Sequence, residues 1–310
     1  MKKTVRVFAP ATVANVACGF DIFGFALEAP GDEVHATLSE IPGVRITEIT
    51  GDGGLLPRQI EKNTAGVSVL KLLEHLNSDQ GIELAIHKKM PLASGLGSSA
   101  ASTVASVFAA NELLGRPLSR EALLPFAMEG ERIACGTAHA DNVAPSLLGG
   151  FVLVRSYNPL DVIRVPIRCE LYCTVLHPHL KINTGEARDL LKKEITLSQH
   201  TIQSGNVAGL VIGCMEGDYD LIQRSLQDVI AEPVRAALIP GFAAIKQAAL
   251  DAEALGCSIS GSGPSIFALT TTRASATRIA AVMTDACQQH NITSDFYISA
   301  INQTGVQVIS

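Results

Sequence analysis

Residues 91–102, PLASGLGSSAAS, have the composition of a phosphate-binding segment. Two glycines two positions apart are followed by paired serines, and then by small residues that continue to Leu114 without Pro or Gly. This pattern predicts a loop leading into a helix that ends at the Gly-Arg-Pro sequence 115–117. A helix N-terminus carries unpaired N–H groups and a partial positive charge. The segment is therefore predicted to bind phosphate groups.

The residue types within this loop indicate how it would bind. Gly95 and Gly97 would let the backbone approach an anion, and Ser98 and Ser99 offer hydroxyls to phosphate oxygens or to Mg²⁺. The loop is not a Walker A motif. It fits the dinucleotide pattern G-x-G-x-x-A, but that pattern requires a second strand with an acidic end, and residues 118–131 predict a helix. A dinucleotide-dependent oxidoreductase is therefore a disfavoured alternative.

Two other polar clusters could carry chemistry. Asn15 and Asp21 lie on a predicted loop, where they could bind a polar ligand or stabilise the loop as an Asx turn. Residues 129–142 bring Glu131, His139 and Asn142 close together in sequence, with Asp141 beside them. Glu131 is either a Mg²⁺ ligand or a solvated helix residue. His139 has the chemistry of a general base, although a structural histidine is the commoner outcome.

Basic and metal-binding residue types also occur elsewhere. Arg188 and Arg235 could each bind a carboxylate or phosphate through two hydrogen bonds, or could be solvated at the surface. Two cysteines and two histidines at 169, 173, 177 and 179 have metal-like spacing. They alternate along a predicted strand with Leu171 and Val175, which favours burial over metal binding.

The elements that must position these residues follow from periodicity and turn signals. Strands are predicted at 4–8, 34–38, 44–49, 82–87, 149–154, 171–176, 266–270, 296–298 and 305–309. A helix is predicted at 65–76, with Asn63 or Thr64 as its cap. Further helices are predicted directly after the phosphate loop, from Ser119 onward, and near 184–191, 202–216, 219–229 and 241–255. Residues 155–166 contain two prolines and are predicted to be an irregular linker between an N-terminal domain, 1–155, and a C-terminal domain, 165–310.

Bulk composition limits the class of protein. The chain has 310 residues, of which 47% are hydrophobic and 17% charged, and this suits a compact two-domain protein. The net charge of −6 and the lack of a basic run argue against nucleic acid or an anionic membrane as a partner. Seven scattered cysteines without C-x-x-C favour free thiols. The chain is expected to be soluble and cytoplasmic.

Three segments together resemble the motifs of the GHMP kinases. They are PATVANVACGFDIFG near the N-terminus, PLASGLGSSAAS in the centre and SISGSGPS near the C-terminus, in the family's order. Finer matches, GFDIFG, KNTAG, HADNVAPSLLGG, NTGEAR and EPVR, are similar to the branch that phosphorylates homoserine. The resemblance implies an α+β, two-domain GHMP kinase fold. Its N-terminal domain would be like domain 2 of ribosomal protein S5, its C-terminal domain would be ferredoxin-like, and the protein would form a homodimer.

The resemblance also implies an activity and roles for individual residues. The activity is transfer of phosphate from ATP, with Mg²⁺, to the side-chain hydroxyl of L-homoserine. Asn63 would lie near the adenine, and Ser98 or Ser99 would hold Mg²⁺ with Glu131. The amino acid site would comprise Asn15, Asp21, His139, Asn142, Arg188 and Arg235, with Asp21 on the ammonium and the arginines on the α-carboxylate. Residues 260–262 would support both sites. The loop around the ATP phosphates would comprise Pro91, Leu92, Ala93, Ser94, Gly95, Leu96, Gly97, Ser98, Ser99, Ala100 and Ala101.

A mechanism follows from one substitution within the family pattern. Mevalonate kinase-like members have an aspartate base near the position of Asn142, and an amide cannot accept a proton. The expectation is therefore direct in-line attack by the homoserine hydroxyl on the γ-phosphate, without a dedicated protein base. Two alternatives stay open: another GHMP kinase acting on mevalonate or a sugar, and a non-catalytic nucleotide-binding module.

Overall fold

The computed structural model describes residues 3–136 and 139–309. Its strands are β1 (Thr4–Ala14), β2 (Phe23–Ser39), β3 (Val44–Thr50), β4 (Gly81–His87), β5 (Phe151–Tyr157), β6 (Leu160–Val165), β7 (Tyr172–Pro178), β8 (Gly256–Ile259), β9 (Ile266–Thr270), β10 (Ser294–Ala300) and β11 (Gln307–Val308). Its α-helices are α1 (Thr64–His75), α2 (Ser98–Leu113), α3 (Leu124–Cys135), α4 (Ala140–Leu148), α5 (Thr184–Asp189), α6 (Leu197–Glu216), α7 (Tyr219–Ser225), α8 (Glu232–Arg235), α9 (Phe242–Asp251) and α10 (Arg273–Gln289).

The strands form two sheets, of which the smaller lies entirely in the C-terminal half of the chain. The larger sheet has seven strands in the order β11-β1-β2-β4-β3, with the β5–β6 hairpin also paired to β2. The smaller sheet is antiparallel and has the order β10-β7-β9-β8. Counted within that half, this order is 4-1-3-2, with helices between its first and second and its third and fourth strands. This topology is that of a ferredoxin-like domain, as predicted.

Helix α2 is the central helix of the N-terminal half. Every residue of α2 is buried except Ser99 and Glu112, because the helix packs against α1, α3 and α4 and against β1 and β2. Its many alanines and serines allow these close contacts on all sides. The burial fixes the position of the N-terminus of α2, where Ser99 lies at the wall of a cavity.

Several predicted elements are confirmed, with altered ends. The first strand extends through Pro10 to Ala14, because Pro10 lies where the register between β1 and β2 shifts and its missing N–H is tolerated. Asn63 is the cap of α1, since its side chain accepts hydrogen bonds from the N–H groups of Ala65 and Gly66. The helix predicted to begin at Ser119 begins instead as a 3₁₀ turn at Glu121–Leu123 before α3.

The predicted linker at 155–166 was wrong. These residues include the end of β5 and all of β6, which pair as a hairpin in the larger sheet. The two prolines misled the prediction because they flank β6: Pro159 lies in the hairpin turn and Pro166 directly follows the strand. The C-terminal strand β11 pairs with β1, so the last residues belong to the N-terminal sheet and not to the predicted 165–310 domain.

Besides β6, four elements were not predicted: α4, α8, α10 and β8. Helix α4 contains Pro145, which removes a helical hydrogen bond and masked the helical pattern in the sequence.

Within residues 3–136 and 139–309, no helix combines the length and apolar character needed to cross a membrane.

Candidate active site

A cavity of about 440 Å³ is lined by residues from both halves of the chain. Fifteen of the predicted site residues line this cavity. Eight lie outside the phosphate loop, namely Asn15, Asp21, Asn63, Glu131, His139, Asn142, Arg188 and Arg235, and seven lie within it, namely Leu92, Ala93, Ser94, Gly95, Gly97, Ser98 and Ser99. Residues more than 200 positions apart in sequence therefore share one site.

The phosphate loop reaches the cavity with part of its predicted length. Leu96, Ala100 and Ala101 are fully buried in the hydrophobic core, and Pro91 does not line the cavity. The side chains of Leu96, Ala100 and Ala101 are therefore not available to a ligand, and a role of these residues in phosphate binding would fall to their backbone. The first turn of α2 begins at Ser98, after Gly97 in the left-handed conformation.

The two glycines of the loop are required by protein contacts. A Cβ on Gly95 would lie 2.4 Å from the carbonyl oxygen of Ser260 in the C-terminal half. A Cβ on Gly97 would lie 2.2 Å from Thr12 Oγ1 and 2.8 Å from Asn142 Oδ1. Both glycines also have positive φ, +80° and +67°. The Gly-x-Gly pattern predicts that the backbone approaches an anion here, and the structure adds tight packing of the loop against its neighbours.

The C-terminal half holds the loop through its Gly/Ser turn. Ser260 Oγ donates to the Gly95 carbonyl oxygen at 2.7 Å, and the Ser265 N–H donates to the Ser94 carbonyl oxygen at 3.1 Å. Gly261 and Ser262 line the cavity itself. These contacts are those expected of a segment that supports the loop.

Glu131 lies beside the start of α2. Its Oε2 accepts a hydrogen bond from Ser99 Oγ at 3.1 Å, whereas its buried Oε1 has no hydrogen-bond partner within the described part of the chain. Burial raises the pKa of Glu131 to about 7. A buried carboxylate oxygen without a partner, next to a hydroxyl at a cavity wall, suits a cation such as Mg²⁺, which binds few protein oxygens alongside phosphate.

At another part of the cavity, Asp21 contacts two basic side chains. Arg188 Nη2 donates to Asp21 Oδ2 at 2.6 Å, and Arg188 Nη1 donates to His139 Nε2 at 3.0 Å. His139 Nδ1 lies 3.7 Å from Asp21 Oδ1. Because arginine cannot accept a hydrogen bond, His139 Nε2 is the acceptor and carries no proton. Burial, with help from the two arginines nearby, lowers the pKa of His139.

Arg235 completes this group and is buried. It donates from Nη1 to the Gly261 carbonyl oxygen at 2.9 Å and from Nε to the Ala187 carbonyl oxygen at 3.3 Å. The guanidinium carbons of Arg235 and Arg188 lie 5.1 and 5.8 Å from the ring centroid of Phe20. Phe20 was not predicted as a site residue, because an aromatic residue beside a glycine gives no signal of a distant arginine partner.

The side chains of the three predicted asparagines form hydrogen bonds with other groups of the protein. Asn15 donates to the Gly261 carbonyl oxygen and accepts from the Asp21 N–H, so it joins its loop to the C-terminal half. Asn63 uses its oxygen to cap α1 and donates to the Pro57 carbonyl oxygen. Asn142 Oδ1 accepts from Thr12 Oγ1 at 2.7 Å. Since this oxygen is occupied, Asn142 can present N–H donors to the cavity, and as an amide it cannot act as a base.

Asp141 and Lys88 also line the cavity and were not predicted as site residues. Asp141 Oδ1 is buried and lacks a hydrogen-bond partner among the described residues. Burial, with added repulsion from Asp21, raises the pKa of Asp141 to about 7. Lys88 follows β4 and pairs with Asp32 of β2. Asp141 stands within the HADNVAPSLLGG match but was given no role there, and Lys88 belongs to none of the quoted motifs.

The four residues with metal-like spacing, which lie before, on and after β7, do not form a metal site. Cys173 and His177 are buried, and His177 bonds to Ser265 while His179 pairs with Asp295. Across the described ranges, no group of three potential metal-binding residues was found. The six cysteines whose side chains are described are free.

Comparisons with known proteins place this geometry in a family. The GHMP kinase N-terminal domain matches residues 63–150 and the GHMP kinase C-terminal domain matches residues 210–289. The chain is 53% identical to the homoserine kinase of Chlorobium phaeobacteroides strain BS1, covering 99% of this chain and 100% of that protein. The chain belongs to the homoserine kinases of the GHMP kinase family.

Other homoserine kinases and GHMP kinases agree with this assignment. The homoserine kinase of Xylella fastidiosa strain 9a5c is 41% identical, covering 98% of this chain and 94% of that protein. The crystal structure of homoserine kinase from Cytophaga hutchinsonii has a TM-score of 0.97 and 60% identity, covering 100% of this chain and 98% of that one. A mevalonate kinase from L. major, at 16% identity and a TM-score of 0.75, shares the fold. The two-domain GHMP kinase fold is therefore confirmed.

Proposed function

We propose that this enzyme transfers the γ-phosphate of ATP to the side-chain hydroxyl of L-homoserine. The observation that carries the proposal is the pairing of two chemically distinct regions in one cavity. One is the N-terminus of α2 with Ser99 and Glu131, and the other contains Asp21 with Arg188. The first suits a nucleotide phosphate with its cation, and the second suits a zwitterionic amino acid.

The charges at the amino acid end match the substrate. L-Homoserine has an ammonium and a carboxylate on the same carbon, so it needs an acidic and a basic partner close together. Asp21 supplies the first, and Arg188 and Arg235 supply the second. Mevalonate and sugars have no ammonium to match Asp21, which favours homoserine over these alternatives.

The phosphate end provides binding and orientation. Backbone N–H groups at the start of α2 would bind the phosphates, with Ser99 and Glu131 as the protein ligands of Mg²⁺. When bound, Mg²⁺ would offset the negative charge on the phosphate oxygens. Ser98 is a weaker candidate for the metal, since its hydroxyl donates to buried Asp32 at 3.2 Å. The apolar residues Leu56 and Pro57, beside Asn63, would contact the adenine.

The reaction needs orientation of the hydroxyl more than a strong base. The homoserine oxygen attacks the γ-phosphorus, the bond to the β,γ-bridging oxygen breaks, and the hydroxyl proton passes to the transferred phosphate. Asn142 can orient the hydroxyl through its N–H groups. His139 Nε2 is already occupied by Arg188. These contacts support direct in-line transfer without a dedicated protein base.

The test is release of ADP with Mg-ATP and L-homoserine, mevalonate, galactose or 3-aminopropan-1-ol, which is homoserine without its carboxylate. Turnover is expected with homoserine and is expected to collapse in Arg235→Leu. Arg224→Leu is the matched control, because Arg224 is exposed on α7 and does not line the cavity. Equal turnover of 3-aminopropan-1-ol would contradict carboxylate recognition, and turnover of mevalonate or galactose alone would replace the substrate.

We also include a homodimer and a cytoplasmic location in this proposal. The homodimer comes from the family resemblance. The cytoplasmic location comes from the composition and the cysteines, since the six cysteines whose side chains are described are free, which is compatible with a reducing compartment. Light scattering of the purified protein tests the dimer: a mass of one chain would contradict it.

A further inference from the structure

A buried ion pair lies directly beneath the start of α2. Lys88 Nζ contacts Asp32 Oδ2, and their side chains are 1% and 0% exposed. Burial of two charges is unfavourable unless each finds good partners, so a fully buried pair needs an explanation. This pair lies outside every motif that supported the family assignment.

Both members of the pair hold the first turn of α2. Lys88 Nζ also donates to the Ser98 carbonyl oxygen and to Ser102 Oγ, each at 2.6 Å. Asp32 Oδ2 accepts from Ser98 Oγ and Ser102 Oγ, each at 3.2 Å. Ser98 is therefore fixed through both its backbone and its side chain.

The second carboxylate oxygen of Asp32 links the ion pair to the backbone that precedes the phosphate loop. Asp32 Oδ1 accepts from the Lys89 N–H at 2.9 Å. The three protons of the Lys88 ammonium have partners in Asp32, Ser98 and Ser102, so its charge is compensated within the protein. The pair thus connects β2, the end of β4 and the N-terminus of α2.

We propose that Asp32 and Lys88 are positioning residues for nucleotide binding, which they serve by holding the first turn of α2. With Ser98 held below, Ser99 and the first N–H groups of the helix face the cavity. The proposal rests on the proposed function, since it takes the start of α2 as the site of the nucleotide phosphates. A small displacement of such groups weakens binding strongly.

A double substitution separates this role from simple stability. Asp32→Asn or Lys88→Met alone leaves a buried charge without its partner, and each is expected to lower the melting temperature by on the order of 10 °C. Asp32→Asn with Lys88→Met removes both charges and keeps similar side-chain volumes, so most of that stability should return. The matched control is Glu33→Gln with Lys89→Met, which removes the neighbouring ion pair, whose lysine is 54% exposed.

The measurements are the Kd for ADP by calorimetry without homoserine, and the KM values for ATP and homoserine. In the double variant we expect the ADP Kd and ATP KM to rise roughly ten- to hundredfold, with the homoserine KM within about twofold. The control should match the wild type. If the double variant fails to fold, Ser102→Ala removes one bridging hydroxyl and should raise the ADP Kd by a smaller factor.

Two results would overturn the proposal. One is a folded double variant, or a folded Ser102→Ala variant, with wild-type ADP Kd. The other is an equal rise in both KM values, which would indicate general loosening of the site. Because ADP binding is measured without homoserine, failure of the proposed substrate would leave this test intact.

Discussion

Asp21 Oδ2 and Arg188 Nη2 lie 2.6 Å apart, although 167 residues separate them in the sequence. Their charges compensate each other across the amino acid end of the cavity. An entering amino acid would offer each of them an opposite charge of its own. The pair therefore keeps both groups in place before substrate binds.

Substitution of Asp21 or Arg188 should weaken binding of the amino acid substrate. In Arg188→Gln and in Asp21→Asn we expect the KM for homoserine to rise roughly ten- to hundredfold, because a charged hydrogen bond to the substrate is lost. The KM for ATP should change by less than about twofold. Because the two residues are in contact, the double variant should lose less than the product of the single losses. Fully multiplicative losses in steady-state kinetics would show that the two residues act independently.

The two serines at the start of α2 should have different roles. Ser99 bonds to Glu131 at the cavity, whereas Ser98 is buried and bonds to Asp32. We expect Ser99→Ala to raise the Mg²⁺ concentration for half-maximal activity roughly tenfold, while Ser98→Ala chiefly lowers the melting temperature. Mg²⁺ titrations at saturating ATP, with melting curves of both variants, check this. A larger Mg²⁺ effect in Ser98→Ala would reverse the assignment.

His139 should bind and orient rather than remove a proton. Its Nε2 accepts from Arg188, so His139→Gln should reduce kcat by less than about tenfold and raise the KM for homoserine. Removal of a general base would instead reduce kcat by about 10²–10⁴-fold. The pH dependence of kcat should keep its acidic limb in the variant. A loss of 10²-fold or more together with that limb would refute direct transfer without a base.

Asp141 should make the protein less stable as the pH rises. Its folded-state pKa of about 7 lies above the ordinary value of 3.8, so the folded protein holds a proton that the unfolded chain releases between these values. The stabilising contribution of protonated Asp141 is complete below pH 3.8 and is lost as the pH rises to about 7. The substitution Asp141→Asn should therefore raise the free energy of unfolding by about 2 kcal/mol more at pH 8 than at pH 5.5. Denaturant unfolding at both pH values measures this, and an equal effect at both would show that Asp141 does not titrate there.

The sequence by itself determined the local chemistry. The small residues after Gly97 predicted the helix α2, the Gly/Ser pattern predicted the loop, and the alternating residues predicted most strands. Three ordered motifs identified the family. These features are local, or are recognisable as short patterns, so they can be read along the chain.

The tertiary structure decided which of these residues act together. It buried Leu96, Ala100 and Ala101 in the core, and it assigned the Ser98 hydroxyl to Asp32 and that of Ser99 to Glu131. It also brought Lys88 beneath the loop, in a position that no motif indicated. Burial and long-range pairing depend on how β2, β4 and α2 pack in space, and the spacing of residues along the chain does not contain that information.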